Sequence, residues 1–250
     1  HERKRKTENR PHQVFYLHQV DDPYSHLCCQ ILDQLENSYD IEVIPLVVGS
    51  PPSSSTPEVE MLQKHNIEDA KMIAPYYGLT FETNEIDIEP KNIKIAQSVL
   101  LGTKQETFAK VSLEVGEALW RNDSETLQDL QQNSTVLSDE EISARIQINS
   151  QKQKKLGHYY GGVFAYEGEC YGCIDRVPFL EERLVELGTN KSDQQSIFKR
   201  KSLKDELPLK LDGLTLEVLF SVRSPYSYLA LQQLIEFRKR YPIKVVYRPI

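Results

Sequence analysis

The stretch 14–48, VFYLHQVDDPYSHLCCQILDQLENSYDIEVIPLVV, decides the fold because the chain uses it twice. A shift of 202 residues aligns it without a gap on 216–250, LEVLFSVRSPYSYLALQQLIEFRKRYPIKVVYRPI. Eleven of the 35 aligned positions are identical, whereas chance would give about two. We therefore interpret the chain as one structural unit followed by the beginning of a second copy.

Each copy has the pattern of a strand, a helix and a second strand. The apolar runs at the two ends of each copy predict buried strands. Between them, a Pro-Tyr-Ser turn precedes apolar residues at helical spacing. Such a crossover joins two parallel strands.

The chain between the copies is mostly helical and then forms a hairpin. A capping box, in which Ser138 is followed by Glu141, marks the start of one helix. The segment 191–210 is charged and poor in apolar residues, which is typical of a linker. The other predicted segments are a loop over 50–56, helices over 58–77, 108–119, 138–156 and 175–187, and a hairpin that pairs 163–166 with 169–173.

The composition excludes several classes of protein. The chain has 250 residues, of which 39% are hydrophobic and 27% charged, as expected for a soluble globular protein of one or two domains. A net charge of -7 argues against nucleic acid and anionic membranes as partners. No apolar run approaches the roughly 20 residues that span a bilayer. The first twelve residues are basic, and we interpret them as a solvated tail.

The four cysteines are too few for a disulfide scaffold, which predicts a reducing, cytoplasmic location. Cys170 and Cys173 form a CxxC, but they fall in a predicted strand, where residues three apart point to opposite faces. Cys28 and Cys29 are adjacent on a helix and do not face each other. We predict four reduced, buried cysteines and no metal site. A thiol-disulfide oxidoreductase that uses Cys170 and Cys173 remains an alternative.

The segment 216–230, LEVLFSVRSPYSYLA, resembles the first strand and active-site turn of one branch of the DsbA-like thioredoxin superfamily. This branch contains 2-hydroxychromene-2-carboxylate isomerase and kappa-class glutathione transferase, and it has Ser-Pro-Tyr-Ser where redox members have Cys-Pro-x-Cys. The first copy is similar, with Asp22-Pro23-Tyr24-Ser25 at the turn. The stretches 69–81, DAKMIAPYYGLTF, and 166–184, YEGECYGCIDRVPFLEERL, extend the similarity.

The resemblance implies an α/β thioredoxin fold with an inserted helical subdomain, in tandem duplication. The expected boundaries are a basic tail over 1–12, a DsbA-like domain over 13–188 with its insertion at about 50–157, a charged linker over 189–212, and an incomplete second domain over 213–250. If the duplication has full length, we expect the second domain to extend to near residue 390, about 140 residues further. The segment 216–250 would otherwise have to pack on the first domain or on a second chain.

The resemblance also implies a site at the second turn. A hydroxyl at a helix N-terminus can stabilise a thiolate, because the backbone N–H groups and the helix dipole favour negative charge there. By resemblance, Ser224 is this residue, glutathione is the thiol, and Pro225, Tyr226 and Ser227 complete the turn. An ordinary role for the serines as helix caps is the alternative.

The first copy departs from the family pattern at two positions. Asp22 replaces the serine, and a carboxylate repels a thiolate. Gly162 stands nearest to the position of the family's cis-proline, and glycine does not enforce a cis bond. Asp175 and Arg176 match a family pair in which the aspartate holds the amino group of glutathione, although Asp175 could be a plain helix cap. We predict that the first domain binds glutathione weakly or not at all.

These observations favour a glutathione-dependent isomerase or transferase that acts on a small thiol or an aromatic small molecule. Tyr24 could contact that ligand or fill the core, and the protein could form a homodimer. A non-catalytic thioredoxin-fold module for binding or dimerisation is the second hypothesis.

Overall fold

A computed structural model describes residues 2–83, 88–191, 196–198, 213–241 and 243–250. The chain divides into two units, residues 1–200 and 201–250. The first unit contains α1 (Glu2–Thr7), β1 (Gln13–His18), α2 (Pro23–Cys29), α3 (Leu32–Ser38), β2 (Glu42–Val47), α4 (Val59–Tyr76), α5 (Pro90–Gly102), α6 (Phe108–Trp120), α7 (Ser124–Gln132), α8 (Asp139–Lys155), β3 (Val163–Tyr166), β4 (Glu169–Gly172) and α9 (Val177–Glu186). The second unit contains β5 (Thr215–Phe220), α10 (Pro225–Arg240) and β6 (Lys244–Pro249).

The first unit is built on a four-stranded mixed sheet in the order β2-β1-β3-β4. β1 pairs in parallel with β2 and antiparallel with β3, and β3 pairs antiparallel with β4. The β3–β4 turn is formed by Glu167 and Gly168, both with positive φ, as the tight hairpin turns that match strand twist require. The predicted crossover and hairpin are therefore both present.

Alternating side chains of β1 cover both faces of the sheet. Val14 and Tyr16 are fully buried in the main core, which also contains Phe164 of β3. Leu17 is buried on the opposite face against Leu46. Burial of both faces explains why the strands are apolar runs in the sequence.

The insertion between β2 and β3 contains five α-helices among the described residues, α4 to α8. The predicted capping box is present at the start of α8: the Ser138 hydroxyl accepts from the Glu141 backbone N–H, and the Glu141 carboxylate accepts from that of Ser138. α4 stops before Gly78, which has a φ of 69°, in the left-handed conformation common after helix ends. The insertion thus forms the helical subdomain predicted from the sequence.

Two local features lie at the ends of the first unit. The basic segment contains the short helix α1, in which the Arg5 side chain donates to the Glu2 carboxylate at 2.7 Å. At the other end, the buried Glu181 carboxylate accepts from the backbone N–H groups of Ile197 and Phe198 at 2.6 and 3.1 Å. Ile197 and Phe198 therefore pack on the first unit, while most of the predicted linker lies outside the described residues.

The second unit repeats the local geometry of the first with the predicted offset. β5 and β6 have the bounds of β1 and β2 moved by 202 residues, and they pair in parallel in the corresponding register. One difference lies in the crossover, which is the single helix α10 here but is divided into α2 and α3 in the first unit.

Candidate functional site

The turn between β1 and α2 is held by its own side chains. One oxygen of the Asp22 carboxylate accepts from the backbone N–H of Ser25 at 2.8 Å and from the Ser25 hydroxyl at 2.7 Å. The Ser25 oxygen in turn accepts from the Gln19 backbone N–H at 3.1 Å. Pro23 occupies the first helical position, where its missing N–H costs nothing. Asp22 is thus the N-cap of α2.

Two buried glycines approach this turn closely from the loop before β3. A Cβ on Gly161 would lie 2.6 Å from the Ser25 hydroxyl, and one on Gly162 would lie 3.0 Å from the Tyr24 carbonyl carbon. Gly162 also has a φ of 62°, which proline cannot adopt. The described residues contain no cis peptide bond. Because Gly161 and Gly162 have no side chains, the backbone of the loop can pack directly against the turn.

The carboxylates around the turn make the site acidic. Burial is the main cause that raises the pKa of Asp22 to about 6, although hydrogen bonds from Ser25 oppose it. Asp69 of α4 accepts from the Tyr24 hydroxyl at 2.7 Å. Burial also raises the pKa of Asp175, and Asp69 adds to that shift. A bound thiolate would be a further negative charge here.

Asp175 does not cap α9, contrary to the prediction that it could be an ordinary helix cap. It lies inside the short 3-10 helix Ile174–Arg176, and the residue at the N-cap position of α9 is Arg176. Arg176 forms an ion pair with Asp175 at 3.4 Å. The pair is half-exposed, and its charges compensate each other.

The cysteines correct the prediction that all four are buried. All four are free, but Cys170 is exposed and Cys173 is partly exposed, while Cys28 and Cys29 are buried. Cys173 lies just after β4, with a φ of 61°, at the N-cap of the 3-10 helix. The argument from strand geometry therefore does not apply to it, because a strand residue would have a negative φ.

None of these thiols is activated. Burial is the main cause that raises the pKa of Cys173 to about 12 and the pKa of Cys28 well above its usual value. The Cys28 thiol instead donates to the Gly162 carbonyl at 3.6 Å. Reactive thiols in proteins have lowered pKa values, whereas burial shifts the pKa values of Cys28 and Cys173 in the opposite direction.

A cleft of about 210 Å³ opens beside the Asp22 turn. It lies between the turn, the loop over 50–56 and the first half of α4, and Tyr160 lines it as well. Gln19 and Asp21 contribute polar groups, and Leu62 is part of its apolar wall. Among the described residues that line the cleft, none is Lys, Arg or His.

The second unit has the same turn with different charges. Ser224 is the N-cap of α10 with φ and ψ of -97° and 120°, compared with -103° and 120° for Asp22. Its hydroxyl accepts from the Ser227 backbone N–H at 3.3 Å, and the Ser227 hydroxyl accepts from the Ser221 backbone N–H at 3.2 Å. Arg223 stands where the first unit has Asp21.

The structure brings together only part of the predicted site. Asp22, Pro23, Tyr24, Ser25 and Gly162 lie at one turn of the first unit. The predicted residues of the second unit, Ser224 to Ser227, lie at the turn before α10. The sequence analysis did not identify five residues of this region: Gly161, Asp69 and the cleft-lining Gln19, Asn66 and Tyr160. The double glycine at 161–162 was a signal for Gly161. The other four residues come together through helix packing, which no local sequence pattern reveals.

No described helix combines the length and the apolar character needed to cross a membrane, and no group of three or more His, Cys, Asp or Glu side chains in the described ranges could hold a metal ion.

Comparison with known proteins gives likenesses in structure alone. No family model and no curated protein matches the sequence. The structure is similar to that of a 2-hydroxychromene-2-carboxylate isomerase, with a TM-score of 0.52 and 13% identity over 70% of this chain and 96% of that one. It also resembles the cytosolic disulfide reductase DsbM from Pseudomonas aeruginosa (TM-score 0.47, 13% identity, 70% and 99% of the chains) and a putative protein disulfide isomerase from Nitrosomonas europaea (TM-score 0.46, 11% identity, 71% and 98%). With its mixed sheet, crossover, helical insertion and final hairpin, the first unit has the DsbA-like thioredoxin fold with an inserted helical subdomain.

Proposed function

We propose that this chain is a glutathione-dependent isomerase or transferase in which the turn at Ser224 stabilises the thiolate, while the first unit has lost that role. One observation carries the proposal: Ser224 and Asp22 occupy the same N-cap position with nearly the same backbone angles. The two turns differ in what they offer an anion. A neutral hydroxyl beside Arg223 attracts it, whereas two adjacent carboxylates repel it.

The charge of the second unit also favours binding of an anion at Ser224 rather than at Asp22. Residues 213–250 contain six Lys or Arg and two Glu, although the whole chain has a net charge of -7. Glutathione carries a net negative charge at neutral pH, and its thiolate form carries one more. Arg223 is exposed, so water screens its attraction for an anion, which amounts to about 1 kcal/mol or less.

The first unit is not suited to thiol-disulfide exchange. Its turn has Asp22 and Ser25 where redox proteins of this fold have cysteines. Cys170 and Cys173 remain free, and burial raises the pKa of both thiols. The alternative of an oxidoreductase based on this pair is therefore disfavoured.

The experiment compares glutathione with S-methylglutathione, which cannot form a thiolate, by calorimetric titration of the full chain. We expect glutathione to bind more tightly than S-methylglutathione, and Ser224→Ala to remove that preference. Asp22→Asn is the matched control, because it changes the corresponding cap of the first unit and should leave the preference unchanged. Asp22→Ser should leave the affinity for glutathione unchanged or raise it.

Two outcomes would reject the proposal. One is equal binding of the two ligands, or no binding of either. The other is a preference that persists in Ser224→Ala and disappears in Asp22→Asn, because it would place the thiolate at the first turn.

A further inference from the structure

Cys28 and Cys173 are far apart in the sequence but contact the same backbone carbonyl in the first unit. The Cys28 thiol of α2 donates to the Gly162 oxygen at 3.6 Å. The Cys173 backbone N–H donates to that oxygen at 2.7 Å. The two distances, 3.6 and 2.7 Å, together place the Cys28 sulfur within about 6.3 Å of the Cys173 nitrogen.

The side chains of these two cysteines belong to one core. Cys28 is fully buried in the main core, and Cys173 packs against that core as a partly buried residue. Side chains two residues apart on a strand share a face, and Tyr171, two positions before Cys173, is buried in the same core. The helix α2 also contacts the 3-10 helix Ile174–Arg176 directly after Cys173. After burial, a negative charge on Cys173 is the main cause that raises the pKa of Cys28, as expected for neighbouring sulfurs.

The other two cysteines have different partners. The Cys29 thiol donates to a carbonyl of its own helix, that of His26, at 3.1 Å. The Cys170 thiol donates to the Leu156 carbonyl at 3.4 Å. Both sulfurs therefore bond to other carbonyls than the one that Cys28 and Cys173 share.

From this arrangement we propose that Cys28 and Cys173 form an oxidation site, at which a small peroxide converts the two thiols into a disulfide that joins α2 to the segment before α9. Both thiols are free in the structure. Disulfides join residues whose Cα atoms lie about 4.4 to 6.8 Å apart, a separation compatible with the packing of both residues around one carbonyl. The site belongs to the first unit, and it exists or not independently of glutathione binding at Ser224.

The oxidation begins at Cys173, because this thiol is partly exposed while Cys28 is buried. The Cys173 thiolate takes one oxygen from hydrogen peroxide and forms a sulfenic acid, and the hydroxide that leaves is protonated to water. The Cys28 sulfur then attacks the sulfenic sulfur, the S–S bond forms, and the sulfenic oxygen leaves as a second water. The two thiols thus lose two protons and two electrons, which reduce one peroxide to two waters.

The environment makes this reaction slow. Burial, followed by the charges of Asp175 and Asp22, raises the pKa of the Cys173 thiol to about 12, so little of it is thiolate at neutral pH. The pair is therefore suited to form a lasting bond under sustained oxidation rather than to exchange disulfides rapidly. Because the bond closes a long loop of the chain, it should stabilise the first unit against unfolding.

The test treats the native full chain with hydrogen peroxide, blocks the remaining thiols with N-ethylmaleimide and digests the protein with trypsin without reduction. Trypsin cuts after Lys and Arg, so Cys28 lies in the peptide 7–64 and Cys173 in the peptide 156–176. We expect mass spectrometry to find these two peptides joined, with a mass lower than that of the reduced pair by two hydrogen atoms.

Four variants identify the sulfurs, because each peptide contains two cysteines. Cys28→Ser and Cys173→Ser should each lose the joined peptides. Cys29→Ser and Cys170→Ser are the matched controls and should retain them. The fluorescence of Trp120 shows whether each variant is folded, and Cys173→Ser, at a partly exposed position, keeps the test valid if Cys28→Ser does not fold.

Urea unfolding gives a second readout. Peroxide treatment should raise the urea midpoint of the native chain and leave that of Cys173→Ser unchanged. Absence of the joined peptides in the native chain would overturn the proposal, as would joined peptides that persist in Cys28→Ser or Cys173→Ser. A bond between Cys170 and Cys173 in place of the expected one would overturn it as well.

Discussion

Replacing Asp22 by asparagine should make the first unit less sensitive to rising pH. Folding raises the pKa of this carboxyl from 3.8 to about 6, so the native state binds the proton more tightly than the unfolded chain does. The stability that this proton provides is fully present below pH 3.8 and is lost as the pH rises through 6. Asparagine accepts the same hydrogen bond from the Ser25 backbone N–H but does not titrate.

The size of the effect follows from the shift. Two pKa units correspond to about 3 kcal/mol at 1.36 kcal/mol per unit, and the partial exposure of Asp22 lowers this to about 1 to 3 kcal/mol. Between pH 4 and pH 7.5, Asp22→Asn should therefore gain that much stability relative to the native chain. Contributions from the buried His18 and His26, whose pKa values burial lowers to about 3 and about 4, are common to both proteins and cancel in the difference.

Urea unfolding can measure this difference through tryptophan fluorescence. The chain has one tryptophan, Trp120, which is 2% exposed in α6, so its emission reports on the first unit. Unfolding free energies of both proteins would be determined at several pH values, with Asp33→Asn as the control for loss of an exposed charge. A difference that stays constant with pH, or one that grows in the opposite direction, would refute the reasoning.

Three further outcomes follow from the packing of the first unit. Gly162→Ala should cost about 2 kcal/mol or more in the same fluorescence assay, because alanine disfavours a positive φ and its Cβ would meet backbone atoms at 3.0 Å; an unchanged midpoint would contradict the close approach. Glu181→Ala should speed limited proteolysis near Phe198, since it removes the acceptor of the partly buried N–H groups of Ile197 and Phe198, and unaltered cleavage would show that these bonds do not hold the segment. N-ethylmaleimide should label Cys170 in the native protein and leave Cys28 unlabelled, and mass mapping that finds Cys28 labelled first would contradict the burial.

The sequence predicted those parts of the fold that local patterns encode. The strands at 14–20 and 41–48, the capping box at Ser138 and the turn at Glu167-Gly168 all depend on periodicity or on residues with strong local preferences. They were found within about two residues of their observed ends. The register of the two crossovers agrees with the offset of 202 residues, although the tandem duplication itself remains a prediction.

What the sequence did not predict depends on packing between distant segments. The cleft joins the Asp22 turn to α4, which starts some 35 residues later in the chain. The sequence did not predict that Ile197 and Phe198 bind Glu181, because the residues around them have the composition of a linker. Likewise, the CxxC spacing alone does not reveal the positive φ that Cys173 has after β4. No single-segment pattern contains this information.

The two turns differ in what they offer to a negatively charged ligand. A helix N-terminus attracts negative charge whatever residue caps it. In the first unit Asp22 supplies that charge from the chain itself, and its hydrogen bonds with Ser25 satisfy the turn without a ligand. An external thiolate would then be a second anion at an occupied position. In the second unit the neutral Ser224 caps the helix through its hydroxyl, so an external anion can still provide the charge that the N-terminus favours.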